Sequence, residues 1–149
     1  MSNAQASTIP ALVIKRTFNA PRERVFEAWT TVELLREWYS PPGITVGAVT
    51  FDAREGGHYS VAMNMPDGEV YVATGVISEF RAPERLAYSV RWKEDDPKDE
   101  IDTFVSIDFI DRGKQTEIVF THDGFQSSES RERHDGGWNG CLDRLAKLL

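Results

Sequence analysis

The sequence predicts an α+β fold in which a curved antiparallel β-sheet wraps around a long C-terminal α-helix, with two short helices after the first strand. From Trp138 to Leu149, apolar residues recur at steps of three and four, the stripe of a helix lying on a core. Between Ile44 and His122, short runs of alternating apolar and polar residues are separated by turns. This pattern is typical of successive hairpins with one dry face, which the helix stripe would cover.

The first strand and the helix pair are predicted ahead of the main run of strands. Residues 11–18 alternate between apolar and polar side chains, and the Asn-Ala-Pro segment at 19–21 stops them. A short helix should follow, then a second helix capped by Thr30 or Thr31. The Pro-Pro-Gly segment at 41–43 ends the second helix, because proline disfavours the helical region for the residue before it.

About six further strands are predicted before the last helix. The Pro-Asp-Gly turn at 66–68 has a clear mechanism, since proline fixes φ and glycine accepts a positive φ. Other turns fall at 55–57, 83–85 and 112–114, and the charged segment 93–100 should be a solvated loop.

The C-terminal helix is expected from about Ser128 to Leu149, capped by Ser127 or Ser128. Its N-terminal half is polar, so in a curled sheet that half would face a space rather than a packed core. Three glycines interrupt it beside Trp138, each costing roughly 1 kcal/mol against alanine. They indicate close approach of another backbone or a ligand, or a bend: Gly136, Gly137 and Gly140.

Length and charge narrow the classes of protein. The 149 residues predict one domain over 9–149 after a disordered polar tail over 1–8. A net charge of −7 argues against nucleic acid and anionic membranes as partners, and no apolar run approaches the roughly 18 residues of a membrane span. A cytoplasmic monomer or homodimer is expected.

The single cysteine, Cys141, excludes an intrachain disulfide and lies on the apolar stripe, which favours a buried thiol over a nucleophile.

Two histidines are the main candidates for polar chemistry. His122 shares strand parity with Ile118 and Phe120, so it should point inwards, and His134 lies one helical turn before Trp138. Converging on a cavity, they would bind a ligand or shuttle protons; alternatively, each forms a local hydrogen bond near the cavity mouth.

No metal or cofactor is expected, since the chain has no His-x-x-x-His, no cysteine pair and no phosphate-cradling glycine loop. The serines also lack a Gly-x-Ser-x-Gly setting. Aromatic residues are the positive signal: they line a ligand pocket or form plain core. We predict a largely apolar cavity between the sheet and the polar half of the last helix, lined by Trp38, Tyr59, Met63, Trp92, His122, His134 and Trp138.

An ordered series of short segments resembles the activator of heat-shock protein 90 ATPase (Aha-type) homologues, of the START/SRPBCC superfamily. The series spans about residue 11 to the end and consists of 14–21 (IKRTFNAP), 25–29 (VFEAW), 35–41 (LREWYSP), 55–57 (EGG), 63–68 (MNMPDG), 83–86 (PERL), 121–125 (THDGF) and 136–138 (GGW). The resemblance implies the helix-grip (Bet v 1-like) fold, and a cavity for apolar or aromatic ligands.

Three functions remain open on these grounds. The first is binding of a small apolar or aromatic molecule, with the biological role unassigned. The second is association with a chaperone, in a stress response, as the resemblance taken literally implies. The third is a cofactor-free enzyme, such as a cyclase or lyase that uses the cavity. Fold-level likeness does not decide between them, so function has to be argued from the site.

Overall fold

The computed structural model describes residues 9–149, so the predicted tail over 1–8 lies outside the described residues. The elements follow the expected order of strand, two short helices, six strands and a long helix. They are β1 (Leu12–Phe18), α1 (Arg22–Thr30), α2 (Val32–Trp38), β2 (Thr45–Phe51), β3 (His58–Asn64), β4 (Val70–Arg81), β5 (Arg85–Trp92), a 3₁₀ turn (Pro97–Asp99), β6 (Asp102–Arg112), β7 (Gln115–Asp123) and α3 (Ser128–Leu148).

The strands form one antiparallel sheet in the order β1-β7-β6-β5-β4-β3-β2. Consecutive strands from β2 to β7 are neighbours, whereas β1 joins the far edge, with Leu12 opposite His122 and Phe18 opposite Thr116. The hairpin at 66–68 has Gly68 at φ +92°, as its composition predicts.

The inner face of the sheet packs against the C-terminal part of α3. Every residue of α3 classed as buried lies in its second half, namely Trp138, Cys141, Leu142 and Leu145. Ser127 caps the helix by accepting a hydrogen bond from the amide of Ser130 at 3.0 Å. The predicted helix-grip fold is therefore confirmed, with the helix ending one residue earlier than predicted.

The glycines of α3 allow a loop to approach the helix closely. A Cβ at Gly140 would lie 2.6 Å from Cδ of Pro42, in the loop after α2, whereas a Cβ at Gly136 would meet nothing within 4 Å. The room at Gly140 is thus taken by the Pro-Pro loop. Close approach of another segment, one of the alternatives expected for these glycines, is therefore found at Gly140.

Two polar contacts fix the outer ends of α3. The Arg131 guanidinium donates to the backbone carbonyls of Pro10 and Ala11, and Arg144 donates to the carbonyl of Ser40 at 2.9 Å.

Of the described residues, 9–149, none belongs to a helix with the length and apolarity needed to span a membrane.

Candidate functional site

His122 on β7 is completely buried and fully hydrogen-bonded. The indole nitrogen of Trp138 donates to its Nδ1 at 3.0 Å. Because an indole N–H is only a donor, Nδ1 carries no proton, and the neutral ring has its proton on Nε2. That Nε2 lies 2.7 Å from Oγ1 of Thr103, which in turn donates to the carbonyl of Val90 at 3.3 Å. Burial and the nearby His134 lower the pKa of His122 to about 3.

His134 on α3 is held in the opposite tautomer. The indole nitrogen of Trp92 donates to its Nε2 at 3.2 Å, so the proton sits on Nδ1 and is donated to the carbonyl of Ser130 at 2.7 Å. Burial is the main cause that lowers the pKa of His134; the Ser130 hydrogen bond opposes this, and the charge of Arg133 adds to it.

The two histidines therefore have no free ring nitrogen in this conformation. A general base needs an available lone pair within reach of a substrate proton, and both lone pairs here accept from tryptophan. The rings also fill the space under the polar half of α3, with centroids 5.1 Å apart for His122 and His134 and 4.5 Å for His122 and Phe125. The arrangement suits positioning of the helix more than proton transfer.

A small void remains elsewhere in the interior, where α1 and α2 meet the sheet. Its volume is about 10 Å³, room for about one water molecule. Its walls carry no charged side chain and are formed by Trp29, Leu35, Tyr39, Phe51, Tyr59, Val61 and Tyr88.

Three tyrosine hydroxyls are part of this void's surroundings. The hydroxyls of Tyr39 and Tyr88 lie 2.7 Å apart, and the hydroxyl of Tyr59 donates to the carbonyl of Ser89 at 2.6 Å. Burial raises the pKa of all three phenols well above its usual value, so they are neutral donors at physiological pH.

Trp29 is the unusual member of the wall. It is 1% exposed, and its indole nitrogen is buried without an acceptor among the described residues. The ring lies edge-on to Trp38, with centroids 4.6 Å apart, and stacks on Trp138 at 6.2 Å. A buried unpaired donor costs roughly 1–3 kcal/mol, which makes this position a candidate for a bound group.

The seven residues predicted to line one cavity fall into separate places. Four of them form two hydrogen-bonded pairs, Trp92 with His134 and Trp138 with His122, whose histidine rings are in contact. Tyr59 lines the void, and Met63 is 8% exposed in the same core. Trp38 lies under the helix pair, where its indole nitrogen donates to the carbonyl of Ala28 at 2.9 Å and joins α2 to α1.

Six of the seven wall residues were missing from the predicted set, and three of these six carry a polar group: Trp29, Tyr39 and Tyr88. The sequence contained a signal for Tyr88, which alternates with Val90 and Trp92 and therefore faces inwards. For Trp29 the helical spacing from Val25 and Phe26 indicated burial, but no local pattern shows which buried ring borders empty space.

Other reactive groups offer no alternative centre. Within the part of the chain that the structure describes, no group of three or more His, Cys, Asp or Glu side chains is placed to hold a metal ion. Cys141 is buried, and burial raises the pKa of its thiol to about 12, which disfavours the thiolate.

An outer groove of about 270 Å³ is lined by Arg24, Glu27, Ala28, Leu34, Leu148 and Leu149.

Solved structures share this fold at low sequence identity. A protein from Chromobacterium violaceum is 24% identical with a TM-score of 0.84, over 94% of this chain and 97% of its own. The AHSA1 protein from Silicibacter pomeroyi is 23% identical with a TM-score of 0.83, over 93% and 96%. A protein from Staphylococcus epidermidis is 23% identical with a TM-score of 0.81, over 97% and 92%.

The search of proteins with curated functions found no match. The family model described as Activator of Hsp90 ATPase homolog 1-like protein matches residues 19–149, which include the helix pair, six strands of the sheet and α3. This match covers the residues of both the void and the histidine pair, and the chain belongs to the Activator of Hsp90 ATPase homolog 1-like protein family.

Proposed function

We propose that this protein binds a small, uncharged apolar or aromatic molecule in the interior between the sheet and the helices. The observation that carries the proposal is the void beside Trp29, whose walls are aromatic and aliphatic and include the buried tyrosine hydroxyls. Such a surface, mostly apolar with a few placed polar groups, is typical of small-molecule sites. The absence of a charged wall residue favours an uncharged ligand.

The ligand must enlarge the void, because about 10 Å³ holds one water. The wall most easily moved is at β2, an edge strand with a neighbour on one side only and a register shift between Val46 and Val49. Phe51 at the end of β2 is half-buried, and its ring centroid lies 6.3 Å from that of Tyr59. In the proposal, displacement of Phe51 opens the site.

The bound molecule also extends towards α3. The ring of Tyr39 lies edge-on to that of Trp138, with centroids 5.4 Å apart, so Trp138 borders the enlarged space. His134 is further along the helix and engaged with Trp92. Trp138→Ala should therefore weaken binding more than His134→Ala, because the indole contributes more apolar contact area.

The test begins with native mass spectrometry of freshly purified protein, which would reveal a retained small molecule. Titration with the neutral fluorophore N-phenyl-1-naphthylamine should then raise its fluorescence and the melting temperature of the protein by mass action. Val61→Phe should abolish the response by filling the void, and Ser60→Ala, on the outer face of the same strand, is the matched control. Phe51→Ala should increase the fluorescence response, because it enlarges the opening. This variant keeps the proposal testable when Val61→Phe does not fold. No retained molecule, and no response in the parent or in Phe51→Ala, would refute the proposal.

A second candidate is association with a chaperone ATPase, favoured by the family match over residues 19–149. Its test is the ATPase rate of purified Hsp90 with and without this protein. A rate that does not change over a titration to excess would count against this candidate and leave ligand binding unaffected.

A further inference from the structure

Residues that line the void have two hydrogen-bond donors without an acceptor among the described residues. Tyr39 and Tyr88 together carry two hydroxyl protons, but one hydrogen bond joins them, so the hydroxyl that accepts has its own proton left over. The hydroxyl of Tyr59 donates to the carbonyl of Ser89, and among the described residues no hydrogen bond joins it to this pair. Among residues 9–149 the structure provides no other hydrogen bond for the Tyr39–Tyr88 pair.

Trp29, which lines the same void, has the second spare donor. Its indole N–H is buried and unpaired, and its ring lies edge-on to Tyr39 with centroids 6.3 Å apart. Two buried donors without acceptors, next to room for about one water, are costly when the space is empty. One acceptor atom with two lone pairs would relieve both.

We propose that the void is a site for a single uncharged acceptor oxygen, which takes hydrogen bonds from Trp29 Nε1 and from a hydroxyl of the Tyr39–Tyr88 pair. In the free protein the oxygen belongs to an ordered water. When a ligand is bound, the oxygen is the ligand's carbonyl, so the ligands are small ketones, aldehydes or esters. The ligand part rests on the proposed function, whereas the water part does not.

The charge of the oxygen follows from the surroundings. Each spare donor is neutral, and no cation lines the void to compensate an anion. Moving a carboxylate into such a site without a partner would cost far more than two neutral hydrogen bonds return. A carbonyl loses less on leaving water and has the two lone pairs that the two donors require.

The water arm of the test is heteronuclear NMR on ¹⁵N-labelled protein. The indole N–H signal of Trp29, assigned by its loss in Trp29→Phe, should show a cross-relaxation peak to a long-lived water. Trp38 is the matched control, because its equally buried indole nitrogen already donates to the carbonyl of Ala28. Its signal should show no such peak.

The ligand arm compares acetophenone with ethylbenzene, which differ by the carbonyl. Acetophenone should bind about three- to tenfold more tightly, the gain typical of a buried hydrogen bond. Trp29→Phe should remove this preference. The double variant Tyr39→Phe/Tyr88→Phe should reduce it, which keeps the arm informative when Trp29→Phe does not fold.

The outcomes separate the two proposals. A water peak at Trp29 together with a carbonyl preference supports the acceptor site. Equal binding of both probes, with no water peak, overturns the acceptor site but leaves the proposal of ligand binding intact. The N–H of Trp29 would then face an aromatic ring instead of an oxygen. A water peak with neither probe bound supports the acceptor site and counts against the proposed function.

Discussion

The indole nitrogen of Trp138 donates to Nδ1 of His122 across 3.0 Å and thereby joins the C-terminal helix to the last strand of the sheet. The donor fixes the tautomer of the histidine, and burial keeps the ring neutral. Protonation of His122 would turn Nδ1 into a donor, and the bond to Trp138 would be lost. The contact between helix and sheet is therefore sensitive to acid.

The free energy of unfolding should fall as pH decreases from about 6.5 towards 3. His122 has a folded-state pKa of about 3, against an ordinary value near 6.5 in the unfolded chain. Between these values the unfolded state binds more protons, so stability is complete above about pH 6.5 and is lost on acidification, by up to about 1.4 kcal/mol per pH unit.

Urea titrations at pH 5, 6 and 7 measure this dependence, because most carboxyl groups have pKa values below this pH range. His122→Asn should make it shallower and leave the part that His134, whose pKa is also lowered by burial, contributes. His58→Asn, at an exposed position on the outer face of β3, should leave it unchanged. The same slope in His122→Asn as in the parent would contradict the assignment.

Leu145→Ala should lower the free energy of unfolding by about 2–5 kcal/mol, because it leaves a cavity in the centre of the buried stripe of α3. Leu145 is 0% exposed. Arg131→Ala in the polar half should cost much less, since it removes an exposed hydrogen bond to Pro10 and a partly buried one to Ala11, and leaves no large cavity. Denaturant titration compares the two, and equal costs would mean that α3 is buried along its whole length.

Two glycines of α3 should respond in opposite directions to alanine. Gly136→Ala should stabilise the protein by about 0.5–1 kcal/mol, because it gains helix propensity and its Cβ meets nothing within 4 Å. Gly140→Ala should destabilise it, because its Cβ would lie 2.6 Å from Cδ of Pro42. Thermal unfolding of both variants checks the pair, and a gain in Gly140→Ala would show that the loop yields easily.

No binding to nucleic acid is expected at physiological salt. The net charge is −7, and several arginines are already paired with carboxylates, such as Arg91 with Asp102 at 2.7 Å. A gel shift with micromolar protein and a short duplex tests this, and a retarded band would overturn it.

The sequence predicted the order of elements because alternation and helical spacing are local patterns. Ile118, Phe120 and His122 showed their common face by parity alone, and all three are buried. The location of empty space could not be predicted in the same way. It depends on how the Pro41–Pro42 loop meets Gly140 and on which rings stack in the interior, such as Trp29 on Trp138. These are relations between distant segments, and neither segment carries a pattern for them.

The place of β1 at the far edge of the sheet governs when this protein can fold during its synthesis. β1 is made first, but its partner is β7, the last strand to leave the ribosome. The hairpins from β2 to β7 can form in succession as they emerge, since each pairs with its neighbour in sequence. β1 has to wait through all of them, and the loop closed by its pairing is among the longest in the chain. Completion of the sheet is thus a late event. Until then β1 is an unpaired strand that a chaperone or a second nascent chain can reach.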